Sequence, residues 1–212
     1  MKARLDYHDL VRTDATALLP PRGGRVLDFG GGIGATGASL KESGRADSVV
    51  LFDQIADAAL PVIDAAEALD FDDVEGVSVL AERHGPFDTI LALDVLEHLR
   101  DPWGVIGVLA KSLAPGGRMI VSLPNVASAV VLGPLLLKDE FTYVEAGVMD
   151  RTHLRWFTRK SAVAMVEGAG LAPQRVVRNP FSRKYKLARV LTLGLFDRFL
   201  AKQWIVLATK PA

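Results

Sequence analysis

The stretch VLDFGGGIGATG, residues 26–37, decides how this chain is read. Val26, Leu27 and Phe29 are apolar, Asp28 sits among them, and glycine then fills four of the five positions from Gly30 to Gly34. Glycine in an ordered segment costs roughly 0.5–1 kcal/mol against alanine. Such a cluster implies that something approaches the main chain closely. RVLDF (25–29) reads as a buried strand and residues 34–43 as a helix, so the glycines form a strand-to-helix turn. In a doubly wound sheet, ligands bind at such turns, beyond the carboxyl ends of the strands.

Outward from this turn the same rhythm continues. SVVLF (48–52), VSVL (77–80), FDTILAL (87–93) and GRMIVSL (117–123) read as strands, with QRVVR (174–178) and QWIVLAT (203–209) late in the chain. Helices are expected near 55–69 and 103–113, and from a Thr158 cap to Glu167 before Gly168 and Gly170. Continuous apolar strands alternating with helices predict an α/β doubly wound, mostly parallel sheet. A chain of 212 residues suits one domain over 1–212, with two segments outside the rhythm at 124–152 and 180–202. Met119–Leu137 carries no charge over 19 residues, near the length of a membrane span. Pro124, Gly133 and Pro134 interrupt it, so it reads as a strand and then an apolar loop or broken helix.

Composition narrows the function. Lys and Arg number 25, as do Asp and Glu, so no overall basic field favours nucleic acid. With no cysteine there is no disulfide framework, thiolate metal site or thiol nucleophile. The first twenty residues hold no apolar run of the signal-peptide kind, and the expected location is cytoplasmic.

Asp53 ends the second strand, 23 residues past Gly30, where a carboxylate can accept both hydroxyls of a ribose. Gly30-x-Gly32-x-x-Ala35 formally fits a dinucleotide fingerprint, which makes an NAD-dependent oxidoreductase one candidate. S-adenosylmethionine (SAM) also carries an adenosine but has no phosphate. Asp28 separates the two: a carboxylate there repels a pyrophosphate and attracts the cationic amino end of a methionine. The plainer role for Asp28 is to cap a turn.

LDFGGGIG, LFDQ, FDTILALDVLEHL and LAPGGRMIVSLPN, in this order over roughly residues 20–125, resemble the class I SAM-dependent methyltransferases. DRTHLRWFTRKSAVAMVEGAGL (150–171) resembles a bacterial subgroup found among enzymes of surface-glycan and secondary-metabolite biosynthesis. The chain departs from the family at Gly31, where a cysteine or charged residue often sits, and at AERHGPF (81–87), which lacks the usual Gly-Asp. The resemblance implies a Rossmann-like seven-stranded sheet of order 3-2-1-4-5-7-6 with the last strand antiparallel. It implies SAM held by Asp28, Gly30, Gly32, Gly34, Asp53, Gln54 and Asp94. Adenine would be met at Ala81 and Glu82, just past the expected third strand.

The acceptor would face the end of the fourth strand, Asp94 to His98, and a later histidine, His153. Methyl transfer from a sulfonium needs a positioned nucleophile and a base for its proton. His153 is the first candidate for that base and His98 the second; a histidine merely bonded to its loop is the plainer reading of each. Asp94-x-x-Glu97-His98, with His153 beyond, also resembles the metal-ligand pattern of small-RNA 2′-O-methyltransferases. That resemblance implies a divalent ion on Asp94, Glu97, His98 and His153, and with it an RNA acceptor as a further alternative. Tyr7, His8 and Tyr143 are candidates to line the acceptor site.

The segment 180–202 holds six Lys/Arg (Arg183, Lys184, Lys186, Arg189, Arg198 and Lys202) and one Asp among Leu, Val and Phe. A solvated helix packed on the sheet accounts for it; peripheral contact of 183–202 with a membrane or a lipid-linked substrate is the alternative. The expected activity is methyl transfer to a small-molecule acceptor, an oxygen of a sugar or glycan precursor or of a natural product. A SAM-binding protein without catalysis is the rival outside enzymology.

Overall fold

The computed structural model describes residues 10–179 and 196–212. Tyr7, His8, Arg183, Lys184, Lys186 and Arg189 lie outside the described residues. The strands are β1 (Arg25–Phe29), β2 (Ser48–Asp53), β3 (Ala65–Ala68), β4 (Phe87–Leu93), β5 (Leu113–Pro124), β6 (Ala172–Arg178) and β7 (Gln203–Thr209). They form one sheet of order β3-β2-β1-β4-β5-β7-β6. The first five pair in parallel, and β7 runs antiparallel between β5 and β6. The helices are α1 (Thr13–Thr16), α2 (Ala35–Glu42), α3 (Val74–His84), α4 (Pro102–Lys111), α5 (Ala129–Lys138), α6 (Arg159–Gly168) and α7 (Asp197–Leu200).

The largely apolar sequences of β1, β2 and β4 follow from burial on both faces. Leu27, Phe29, Val50, Phe52, Ile90 and Ala92 point one way, onto Val77 of α3, Leu109 of α4 and Val166 of α6. Val26, Val49 and Leu91 point the other way, with Leu40 of α2 and Leu19. Alternate residues thus feed two cores. Thr158 caps α6 as expected: its hydroxyl accepts from the Ser161 amide while the Ser161 hydroxyl accepts from the Thr158 amide, a reciprocal capping box.

Two expectations fail together. VSVL (77–80) is not the third strand but part of α3. Asp73 caps that helix by accepting from the Gly76 amide at 3.0 Å. Within it Val77 and Ala81, four apart, are buried while Val79 is 51% exposed, which is helical rather than alternating spacing. Nor do residues 55–69 form a helix. Pro61 interrupts that stretch, leaving a single 3₁₀ turn at Ala56–Ala58. The true third strand is AAEA (65–68), an edge strand with residues alternately half-buried and exposed. It follows that Ala81 and Glu82 lie on α3, beside Pro86 and Lys111 at the amino end of β4, and not at the carboxyl ends where a cofactor would sit. The connection after the real β3 is 69–73.

In the long connection 124–152 the apolar stretch ends as α5, which holds Pro134. Among the described residues no helix is long and apolar enough to cross a membrane.

Candidate active site

The glycine turn is shaped first by the protein's own side chains. Gly30, Gly32 and Gly34 have positive φ of 73°, 63° and 83°. A Cβ on Gly31 would lie 2.5 Å from the Asp28 carboxyl carbon, and one on Gly30 would lie 2.4 Å from Val95 Cγ2. The loop therefore closes over Asp28 and against Val95, leaving its outer face as bare backbone. Asp28 is buried and accepts from the Gly37 amide at 2.9 Å, bracing the first turns of α2. Burial pushes its carboxyl up to about 6; the Gly37 hydrogen bond offsets part of that and the charge of Asp53 adds to it.

Asp53, at the carboxyl end of β2, is also buried. One oxygen accepts from the Gly32 amide at 2.7 Å and the other from the Ile55 amide at 3.0 Å. These contacts aim the carboxylate along the glycine turn with lone pairs to spare. Gln54 beside it is exposed. Asp94 caps the carboxyl end of β4 with a left-handed backbone, φ 56°. Its side chain accepts from the Ser122 hydroxyl at 2.8 Å, from the Gln203 amide at 2.9 Å and from the Arg12 guanidinium.

Immediately after Asp94, the turn Leu96–His98 meets the segment around His153. The amides of Leu154 and Arg155 donate to the Glu97 carbonyl at 2.8 and 3.0 Å, which ties the two segments together. The His98 and His153 rings stand edge to face, 4.7 Å apart. His153 Nδ1 lies 3.1 Å from the Val148 carbonyl, and His98 Nδ1 lies 3.3 Å from the Thr152 carbonyl. A carbonyl can only accept, so each Nδ1 holds its proton and each Nε2 keeps a lone pair in the neutral ring. Glu97 is 1% exposed and neither carboxyl oxygen has a hydrogen-bond partner. His153 Nε2 is 3.9 Å from Glu97 Oε1, too long for a hydrogen bond. Burial, reinforced by the negative Asp94, pushes the Glu97 carboxyl well above its usual range. Burial, and then the neighbouring His98, push His153 below 6.5. Both shifts favour neutral groups, so the contact is not an ion pair.

One ligand atom from each of Glu97, His98 and His153 falls within 4.8 Å of the others. Asp94 does not join them, because Arg12, Ser122 and Gln203 already engage its two oxygens. Tyr143 is 41% exposed and packs with Phe141 and Trp156 in residues 126–156, the covering segment, which also carries His153. The sequence reading missed Arg12, Ser122 and Gln203, whose partner Asp94 lies 82, 28 and 109 residues away. No local motif marks contacts of that range. It also missed the Val148 carbonyl that orients His153.

Comparison with known proteins bears on the family and the fold. The family profile described as a methyltransferase domain matches residues 4–176. The ubiquinone biosynthesis O-methyltransferase of Caulobacter sp. (strain K31) is 31% identical over 140 residues, 65% of this chain and 56% of that protein. The enzyme of the same name from Xylella fastidiosa (strain 9a5c) is 32% identical over 124 residues, 58% of this chain and 48% of its own. The chain thus spans about half the length of these two relatives. Among solved structures, an S-adenosylmethionine-dependent methyltransferase from Mesorhizobium loti superposes with a TM-score of 0.61 at 21% identity, covering 93% of this chain and 96% of that one. That likeness shows the fold. With the profile covering most of its length, the chain belongs to the methyltransferase-domain family, whose cofactor is S-adenosylmethionine.

Proposed function

We propose that this chain transfers a methyl group from SAM to a hydroxyl oxygen of a small acceptor, such as a sugar or glycan precursor or another natural product. The observation that carries this reading is the meeting of Glu97, His98 and His153 beside Asp94, next to the glycine turn. The names of the two relatives, both O-methyltransferases, support oxygen as the atom methylated.

The residues fit the cofactor. Asp53 offers its carboxylate to the ribose hydroxyls, with Gln54 beside it. Gly30, Gly32 and Gly34 present backbone with no side chain in the way. Asp28 sets a negative charge beneath the turn, towards the amino end of the methionine portion, and Asp94 closes the site at β4. SAM supplies a methyl group already activated on a sulfonium.

The chain's own residues then position the acceptor and remove its proton. The Val148 carbonyl fixes the His153 tautomer, and Nε2 takes the hydroxyl proton as the oxygen attacks in line. The oxygen–carbon bond forms while the carbon–sulfur bond breaks. Because His153 is held below its usual range, it stays a competent base at mildly acid pH.

Calorimetric titration of the purified protein with SAM, and separately with NAD, tests the cofactor. Wild type should bind SAM in preference to NAD, and D53A should not bind SAM. With an acceptor in hand, H153A should lower kcat by about 10²–10⁴-fold, the usual contribution of a general base. The acid limb of the kcat–pH profile should lie below pH 6.5, the ordinary histidine value. A preference for NAD would overturn the assignment.

One observation favours a second reading of the same three side chains. A buried carboxyl with both oxygens unpartnered, with a ligand atom of each of two imidazoles within 4.8 Å, suits a divalent cation. Each Nδ1 proton is already directed at a carbonyl, as metal-bound imidazoles require. E97Q separates the readings. Gln keeps the shape of a neutral acid, so activity should survive if His153 acts alone. If a cation is used, E97Q should abolish both Mn²⁺ binding and activity.

A further inference from the structure

Gln203 lies far from every motif, yet its side chain reaches the centre of the candidate site. It is the first residue of β7, where the chain returns from the 180–202 connection. Its amide donates to Asp94 Oδ1 at 2.9 Å, alongside the Ser122 hydroxyl at 2.8 Å. Its own Oε1 accepts from the Asn179 amide at 3.3 Å, which orients the group. Asp94 needs such support. A left-handed backbone is uncommon for a residue with a Cβ and carries strain unless its surroundings hold it. That backbone places Val95 against Gly30 and starts the turn bearing Glu97 and His98.

We propose that Gln203 is a positioning residue for the methyl-transfer site: with Ser122 and Arg12 it holds the Asp94 carboxylate, and through Asp94 it fixes both the floor of the glycine turn and the start of the acceptor turn. The role joins the connection before β7 to cofactor binding. Asn125 pins the end of that connection: its amide nitrogen donates to the carbonyls of Arg198 and Ala201 at 2.8 Å, and its backbone amide to that of Lys202 at 2.8 Å. Asn125 thus holds residues 198–202 immediately ahead of Gln203.

The inference rests on the reading of Asp94 as part of the cofactor site, and its test keeps the two apart. SAM affinity would be measured by calorimetry for wild type and for Q203M, Q203E and Q203K, each with a thermal melt. Met and Glu match Gln in size, so a packing role would rank them together. A donor to a carboxylate predicts a different order. Q203M should weaken SAM binding about tenfold, as loss of a hydrogen bond to a charged group does. Q203E should be weaker still, because it faces one carboxylate with another. Q203K should restore affinity to within about threefold of wild type, since it again offers a donor. In a D94G background, where glycine accepts the left-handed backbone and no carboxylate remains, the three variants should fall within about twofold of one another. Equal affinities of Q203M, Q203E and wild type, or an unchanged spread in D94G, would overturn the proposal. Failure of wild type itself to bind SAM would overturn the cofactor reading and take this inference with it.

Discussion

At the scale of single residues, Asp28 is a buried carboxyl whose charge works against stability near neutral pH. Its carboxyl titrates at about 6 in the folded chain against 3.8 when unperturbed. Between those values the unfolded chain gives up the proton first. Stability is therefore lost as pH rises through that window, and the full cost, about 3 kcal/mol, is in place above it. Replacement by Asn keeps an oxygen for the Gly37 amide but carries no charge. The gain in stability of D28N over wild type should thus grow between pH 4 and pH 7.5, while its SAM affinity falls. Urea unfolding at the two pH values checks the first part, and a gain that does not change with pH would show that the charge is compensated in the fold. Asp28 was legible in the sequence because the glycines beside it announce a turn. So was Glu97 with its two histidines, since Glu97 and His98 are adjacent and the DRTH run is dense. Ser122 and Gln203 were not: a serine in an apolar strand and a glutamine at a strand start look like many others, and only the fold brings them to Asp94.

At the scale of elements, the errors have one source. VSVL has the composition of a strand and AAEA that of a helix, yet each adopts the other form. Asp73 and the four-residue spacing of Val77 and Ala81 decide the first. Pairing with Val50 and Phe52 decides the second, because an edge strand with one exposed face needs little β propensity once its neighbour is fixed. Two variants follow from the corrected order. D73A should cost about 1 kcal/mol in denaturant unfolding, the typical worth of an N-cap. E82A should leave SAM affinity unchanged, whereas D70A, in the turn after the true β3, should weaken it. The reverse result from the same titrations would place adenine on α3 after all.

At the scale of the whole molecule, sheet order makes the site. With β2, β1 and β4 adjacent and parallel, Asp53, the glycine turn and Asp94 stand in a row at one edge of the sheet. Because β7 runs the opposite way, its first residue, Gln203, arrives at that same edge. The covering segment that carries His153 must also be tied there, and Asn125 does much of this. It is fully buried; besides its bonds to the 198–202 carbonyls, its Oδ1 accepts from the Ala127 amide, and it bridges to Phe157 beyond the covering segment. Asn125→Ala would leave the Arg198 and Ala201 carbonyls without these donors, the second of them in a buried place. At about 1–3 kcal/mol for a buried group of this kind, unfolding in urea should show a loss of about 2 kcal/mol. The consequence for function should be uneven. Asp53 and the glycine turn do not touch Asn125, and Gln203 stays paired with Pro124 of β5, so SAM affinity should change little. The acceptor KM should rise and kcat should fall, because Ala127, at the start of the segment that carries His153, loses its bond to Asn125 Oδ1. A variant with equal losses in SAM affinity and acceptor KM would mean that the covering segment and the cofactor cleft form one unit rather than two joined at Asn125.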